Sequence, residues 1–415
     1  MAQQHGHKWM KSYRKLINIQ INYLKYSGFG SIDSGSSAFL NSAYFVYKIW
    51  ILTTMYIFAI TVFADIYVNR DNLSISTDGG CIFAGIFVII YKAMNFQFRE
   101  KGIRRLLDDI LKCIDNLCEF SEVEYIKGLI DKYYKRQRMI FSGFSVLGFT
   151  LAIVLLLFSP MENGLPIRAK YPFNTTASPS HEIGFTIETC AISGGLLGLL
   201  GIDSTSSVIC VLLTQLFDML NVNFENCTNE TNENAAKIHD EHISTNIRYD
   251  ERKSNNTFLR RYKTCLRFHQ RLISMCNDYN KLFSMSMFVQ MLSSTSIICL
   301  TGFQAVVVGG QNSDIIKFGI YLSAGISQLF YICWIGNELS YMSSTLDRSQ
   351  WLSGWHNECL TNIVQIFTLS TMFTRQSITL KASVFYVLSL ETFIAIIKGS
   401  YSIFALLDNV QATSR

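Results

Sequence analysis

Residues 388–407 read LSLETFIAIIKGSYSIFALL, with a short tail to Arg415 behind them. At about 1.5 Å rise per residue, a helix of this length crosses the hydrocarbon of a bilayer. The run nevertheless carries Glu391 and Lys398, together with Gly399 and the hydroxyls of Ser400, Tyr401 and Ser402. Ionisable groups inside a span face protein or water rather than lipid, and they mark a pathway. A membrane helix with a polar side is thus the element from which the rest of the chain is read.

Composition agrees with a membrane setting. Of the 415 residues, 49% are hydrophobic and only 16% charged, and the mean hydropathy is +0.22. These values exclude an ordinary soluble protein of this size. The start MAQQHGHKWMKSYRK is polar and basic with no short apolar core at once behind it. No cleavable signal is expected, and the first span serves as the targeting signal. The eleven cysteines are odd in number, and Cys190, Cys210, Cys299 and Cys333 lie in apolar runs. They read as small buried hydrophobes, not as a disulfide framework or a metal site.

Seven runs reach spanning length, over residues 45–68, 81–96, 139–158, 183–213, 283–308, 315–337 and 388–407. The second is the weakest, and its Lys92 is expected to snorkel to the interface. Lys and Arg near span ends stay cytoplasmic. Five precede the first span, ten lie between the second and third, ten between the fourth and fifth, and three between the sixth and seventh. The other side holds only Arg70, Arg168, Lys170, Lys317 and Arg415. The N-terminus is therefore expected inside and the C-terminus outside, the reverse of a G-protein-coupled receptor.

All four prolines, Pro160, Pro166, Pro172 and Pro179, fall in one outside loop, so the helices are free of proline kinks. The same loop carries Asn174-Thr175-Thr176, an acceptor for N-glycosylation. Sequons at Asn226, Asn229 and Asn255 count against this topology, but the ten basic residues around them weigh more.

The helical pattern of the fourth run continues from Glu182 to Phe224, roughly twice the hydrocarbon thickness. Its second half should project into the cytoplasm. Residues 266–285 lead into the fifth span from below, and Trp355, Leu360, Val364, Phe367 and Phe373 give residues 351–373 an amphipathic spacing. Such extensions build a cytoplasmic bundle for subunit assembly, the alternative being a helix lying flat on the membrane lipid. The Asn- and Thr-rich residues 221–256 read as a disordered linker.

Among the motifs, GGLLGLLG (Gly194, Gly195, Gly198, Gly201) has no following Lys-Ser or Lys-Thr and is not a phosphate loop. Close helix packing or room for a ligand remains. His239 and His242, flanking Asp240 and Glu241, lie in the polar linker and read as solvated rather than as metal ligands. No catalytic constellation is present, so no enzyme activity, cofactor, metal or nucleic-acid partner is expected. On the outer halves of the spans, aromatics gather near small hydroxyls: Phe87, Tyr91, Phe149, Ile153, Phe185, Thr189, Ile192, Phe303, Phe318 and Tyr321. Such a group suits a small, apolar, nearly uncharged ligand, with ordinary packing or interfacial anchoring as the alternative.

The C-terminal third carries a resemblance. Tyr331-Ile332-Cys333, Gly336-Asn337-Glu338-Leu339, Trp351 to Trp355, Arg375-Gln376-Ser377, Leu388-Ser389-Leu390-Glu391-Thr392-Phe393 and Lys398-Gly399-Ser400-Tyr401-Ser402 resemble the insect odorant receptors. The resemblance implies an all-α integral membrane fold of seven helices extended into a cytoplasmic anchor bundle. It implies a ligand-gated, non-selective cation channel in the plasma membrane of olfactory sensory neurons, a hetero-oligomer, in that family a tetramer, with the odorant receptor co-receptor. A volatile odorant would bind in the outer half of spans two to six. The last helix would line the pore, with Phe404, Leu407 and Asp408 toward the lumen and Phe404 and Leu407 as a hydrophobic gate.

On that reading the chain divides into residues 1–44 (cytoplasmic), 45–220 (spans one to four), 221–282 (linker and helix), 283–340 (spans five and six), 341–381 (anchor helix), 382–410 (pore helix) and 411–415 (outside tail). Arg375-Gln376-Ser377-Ile378 lacks the proline common before the family's last helix, and Ser400-Tyr401-Ser402-Ile403-Phe404 lacks the Thr-Tyr…Gln-Phe ending of the related gustatory receptors. The connection after the fourth span is shorter than the co-receptor's, which points to the tuned, ligand-binding subunit. The competing reading is a metabotropic or gustatory-type chemoreceptor; the basic inside loops and absent Asp-Arg-Tyr and Asn-Pro-x-x-Tyr motifs disfavour the metabotropic form. A transporter is third, lacking inverted repeats and broken helices. At 100° per residue Lys398 lies about 120° from Phe404 and about 80° from Asp408, with Glu391 within about 20° of Lys398. The charged pair is thus expected off the lumen face, meeting groups on neighbouring helices.

Overall fold

A backbone inside hydrocarbon has no water to bond, so its polar groups must pair within the segment itself. The chain meets this with long helices. The structure is a computed structural model and describes residues 14–15, 17–31, 37–120, 123–158, 165–228, 248–307, 312–357 and 360–414. Helix α1 (Ala38–Val68), α2 (Leu73–Phe120), α3 (Val123–Ile153, continued by a π turn Val154–Phe158), α4 (Ser180–Glu225), α5 (Arg248–Val307) and α6 (Asn312–Ser344) follow in order. Among the described residues six helices are long and apolar enough to cross a membrane. Two short helices come next, α7 (Leu346–Trp351) and α8 (Leu360–Thr374). A two-stranded antiparallel hairpin, β1 (Lys381–Ala382) with β2 (Tyr386–Val387), then leads into α9 (Leu390–Ser414).

Helix α4 has 46 residues and α5 has 60. At helical rise these are about 70 and 90 Å long, against a hydrocarbon core of about 30 Å. Their inner halves therefore stand clear of the membrane and pack on α7 and α8. There Tyr262 and Ser370 share a hydrogen bond of 2.6 Å. The rings of Phe224, Phe258 and Phe367 surround Tyr262, and Trp355 stacks on Phe367 at 4.6 Å. The helix of the fourth run ends one residue beyond the expected Phe224. The expected linker thus starts too early, because Leu220 and Phe224 are fully buried and hold that last turn in place. Asn229, His239 and His242 lie outside the described residues.

Residues 351–373 do not form one amphipathic helix. Helix α7 stops at Trp351, Gly354 turns the chain at φ +79°, and a 3₁₀ turn at Trp355–Asn357 precedes α8. Only glycine takes that left-handed conformation at low cost, so the break is written at Gly354.

Helix α4 is central, touching α1, α2, α3, α5, α6 and α7. Its glycines make this possible. A Cβ on Gly194 would touch Ile51, and one on Gly195 would touch Met55 and Ile89. A Cβ on Gly198 would collide with the ring of Phe29, and one on Gly201 would fall 2.8 Å from Leu24. The motif is thus a packing surface, on which α1 and the N-terminal stretch 17–31 are seated, and it leaves no room there for a ligand.

The loop between α3 and α4 is bolted to the helix ends. Arg168 pairs with Asp65 of α1 at 3.2 Å, and the Lys170 amide donates to the Thr61 carbonyl at 3.0 Å. The carboxylate of Glu188 on α4 accepts from the Ile167 amide at 3.1 Å and from the Tyr171 hydroxyl at 3.4 Å. Burial, followed by the nearby carboxylate, pushes the Tyr171 phenol well above its ordinary pKa.

Gly198→Ala should lower the melting temperature of the detergent-solubilised protein, since overpacking a filled site costs about 1–3 kcal/mol. Adding Phe29→Leu should recover part of the loss. Additive losses in the double variant would count against the Phe29 contact as the cause.

Candidate functional site

The ten outer-half residues separate into two groups. Phe303 on α5, Phe318 and Tyr321 on α6, and Ile192 on α4 are buried. Thr189 and Tyr91 are half-buried. Phe87, Phe149, Ile153 and Phe185 are exposed, and Phe87 continues a row of rings with Phe83 and Phe63 along the outside of the bundle. This second group has the position of lipid-facing anchors.

Two of the inner residues carry an unanswered polar group. Among the described residues, the hydroxyls of Thr189 and Tyr321 are buried without a hydrogen-bond partner. Each residue lies nine positions from the outer start of its helix, Ser180 or Asn312, which is about 13 Å below it. Buried hydroxyls are nearly always paired, and leaving one unpaired costs about 1–3 kcal/mol. Unpaired hydroxyls among aromatics give a small polar ligand group somewhere to bond.

Below this level the helices are tied by charge. Lys92 does not snorkel. Its side chain is 1% exposed, and its ammonium pairs with Asp203 of α4 at 2.5 Å. The other Asp203 oxygen accepts from Gln328 of α6 at 2.6 Å. One carboxylate thus joins α2, α4 and α6. A turn or more farther in, Arg136 of α3 pairs with Glu338 of α6 and lies over the rings of Tyr133 and Trp334, while the Tyr133 hydroxyl donates to Asp218 of α4 at 3.2 Å. The sequence reading missed Asp203, Gln328, Arg136 and Glu338. The signal for the first was present: Lys92 is the one charge of its apolar run and Asp203, with Glu188, one of two in another, and opposite charges in apolar runs seek each other.

Helix α9 packs on α5 and α6. Its half-buried side carries Phe393, Ile396, Ile397 and Phe404, and a Cβ on Gly302 of α5 would meet the Phe404 ring at 3.7 Å. Glu391 and Lys398 lie on the exposed side with Ile394, Tyr401 and Ser402. They are exposed and make no ion pair among the described residues. The side chains of Leu407 and Asp408 lie outside the described residues.

Asn174 is exposed in the loop between α3 and α4, and its Oδ1 accepts from the amide and hydroxyl of Thr176 at 3.1 and 2.8 Å. No group of three or more metal-ligating side chains occurs among the described residues.

Comparison with known proteins agrees with this architecture. A family described as "7tm Odorant receptor" matches residues 76–401. Odorant receptor 85c of Drosophila melanogaster is 23% identical over 377 residues, covering 82% of this chain and 89% of the relative. Odorant receptor Or1 of Anopheles gambiae is 30% identical over 164 residues, and that match covers 39% of each chain. The olfactory receptor OR5 of Machilis hrabei superposes with a TM-score of 0.76 at 12% identity, covering 96% of this chain and 98% of its own. The same receptor in complex with eugenol gives a TM-score of 0.77 at 13% identity, again over 96% and 98%. With most of its length matched by the family, this multi-pass membrane chain belongs to the 7tm odorant receptors.

Proposed function

We propose that this chain is the tuned subunit of a ligand-gated, non-selective cation channel assembled with the odorant receptor co-receptor in the plasma membrane of olfactory sensory neurons. The ligand is a small volatile organic molecule, as eugenol is for the Machilis receptor. It binds in the outer half of the bundle against Phe303, Phe318 and Tyr321, with Thr189 and Tyr321 supplying the hydrogen-bonding groups. The carrying observation is a pair of neighbours on α5. Phe303 belongs to the buried outer cluster, and Gly302 beside it faces Phe404 of the last helix. A ligand that favours a displaced α5 therefore acts directly on the Phe404 end of α9, where Phe404, Leu407 and Asp408 form the gate region. Only differential affinity for the open state drives such a change.

Assembly is supported by faces that one subunit leaves open. Helix α8 exposes Leu369, Met372 and Phe373, and α9 exposes Ile394, Tyr401 and Leu406. Apolar patches of this kind mark contact with protein or membrane. The N-terminus lies inside and the C-terminus outside, which puts Asn174 on the glycosylated side of the membrane.

Cells expressing the chain with its co-receptor should pass cation current within the odorant binding time, with no loss when G proteins are blocked. Loss under that block would overturn the channel reading. Tyr321→Phe and Thr189→Val should raise the half-maximal odorant concentration about three- to tenfold, one hydrogen bond's worth. Gly302→Leu, which crowds Phe404, should change the maximal or basal current instead. Asn174→Gln should abolish an endoglycosidase-sensitive mobility shift, and a tag after Arg415 should stain on unpermeabilised cells; staining only after permeabilisation would reverse the topology.

A further inference from the structure

Beyond the membrane-spanning bundle, the extended parts of α2 and α5 enclose a cleft of their own, of about 810 Å³ including its mouth. Its upper end, at Gly102 of α2 and Leu282 of α5, lies where the apolar runs of the two helices give way to polar sequence. From there it reaches down to Asp109 and Arg271. Lys281 and Arg271 are ten positions apart on α5, about 15 Å at helical rise. Gly102 keeps the upper end open, since a Cβ there would stand 3.0 Å from the Leu282 side chain. Just above, Arg99 of α2 clamps the two helices by donating to the carbonyls of Lys281 and Leu282, the latter at 3.1 Å. The mouth therefore opens at the membrane surface, on the side that carries most of the basic residues.

The walls are charged, and part of that charge is unanswered. Arg105 from α2 and Arg271 and Lys281 from α5 line the cleft and are exposed. Of the two carboxylates in the lining, Asp278 is held by Lys281 at 3.2 Å, and Asp109 stands at the end farther from the membrane. Among the described residues neither Arg105 nor Arg271 makes an ion pair. Two guanidinium groups on facing helices thus border one space with their donors unused. The planar fork of an arginine matches phosphate oxygens two at a time, and basic pockets between helices at the inner membrane surface take phosphorylated headgroups. A single phosphate cannot reach both ends of a cleft this long. A ring that carries phosphates on opposite sides can. A serine headgroup offers one phosphate only, and it brings an ammonium beside the guanidinium groups.

We propose that this cleft is a site for a ring bearing two or more phosphates, either the headgroup of an inner-leaflet phosphoinositide or the same inositol polyphosphate free in the cytoplasm. Arg105 and Arg271 hold phosphates from the two facing helices, and Lys281 exchanges Asp278 for the phosphate nearest the membrane. An occupant bridges α2 and α5 just below the Arg99 clamp. The same turn of α5 holds the segment that enters α9, because the Asn280 side chain donates to the Thr379 carbonyl and accepts from the Lys381 amide. Occupancy therefore bears on the base of α9, whatever the outer cluster binds. The cytoplasmic placement rests on the topology proposed above; the binding does not.

The test is binding of a fluorescent short-chain phosphatidylinositol bisphosphate to the purified full chain in detergent, read by anisotropy. Binding should be saturable and at least about tenfold tighter than that of short-chain phosphatidylserine or unphosphorylated phosphatidylinositol. Arg105→Gln and Arg271→Gln should each weaken it about fivefold. Lys101→Gln makes the same charge change at an exposed residue outside the cleft and should leave the affinity unchanged. Equal affinity for phosphatidylserine in the unmodified chain would overturn the proposal without recourse to any variant. So would an equal loss in Lys101→Gln, the mark of a diffuse basic surface. Free inositol trisphosphate separates the two sources. Competition at the affinity of the lipid assigns the soluble ligand, and competition at least about tenfold weaker assigns the headgroup in the membrane. A reversed topology would appear separately, in the staining of the tag after Arg415, and would leave the binding by the purified chain in place.

Discussion

The structure turns on a charge that has nowhere to go. Lys92 sits within an apolar run, near its end, with its ammonium shut away from solvent, and an isolated ammonium there would cost far more than any helix contact returns. Asp203 resolves this and, through its second oxygen, takes in Gln328 as well. Removing one member of such a buried pair costs about 3–5 kcal/mol, because the survivor stays buried and uncompensated. The pairing thus fixes α2, α4 and α6 in rotation and depth. What lies above it, the outer cluster, and what lies below it, the Arg136–Glu338 contact, inherit their register from that one bond.

The connection into α9 is held by a different means. The segment from residue 378 to the hairpin has little regular structure of its own, and its backbone groups are taken up by side chains of the helices it crosses. Asn280 of α5 donates to the Thr379 carbonyl at 3.2 Å and accepts from the Lys381 amide at 3.0 Å. Ser343 of α6 accepts from the Ile378 amide at 2.9 Å, and the Ser383 amide donates to the Ser284 carbonyl at 3.1 Å. Just beyond, Leu388 lies so close to Gly336 that a Cβ there would be 2.5 Å from it. Movement of α5 or α6 is thereby passed to the base of α9 as well as to its Phe404 end.

What could be read in the sequence was whatever hydrocarbon dictates locally. The spans, the projection of α4 to within one residue of its end and the loop that gathers the prolines all follow from run length and residue type. Relations between spans could not be read in the same way. The glycines of α4 were recognised as small, but only the fold shows that Phe29 and Leu24 fill the space they leave. The outer aromatics were picked out by depth alone, and depth does not distinguish Phe303, which points inward, from Phe149, which points to lipid. Lys92 was read by itself as a snorkelling group because Asp203 lies far along the chain, in a run read for its glycines.

Helix α9 shows most clearly how far rotation matters. Phase alone placed Glu391 and Lys398 on one side and Phe404 on another, and the structure keeps that separation. It also assigns the sides within a subunit. Phe404 leans toward α5, and the charged side is the one left open. A glutamate and a lysine seven residues apart on an open face are about 10 Å apart along the axis, too far to pair directly. In the membrane such groups need water or partners from another subunit. An assembly that brings this face to its centre wets them; one that turns it to a neighbour must supply opposite charges. Phe404 then lies at the edge between the open face and the packed one, where a ring that rests on α5 can be withdrawn or presented by a small rotation of the helix.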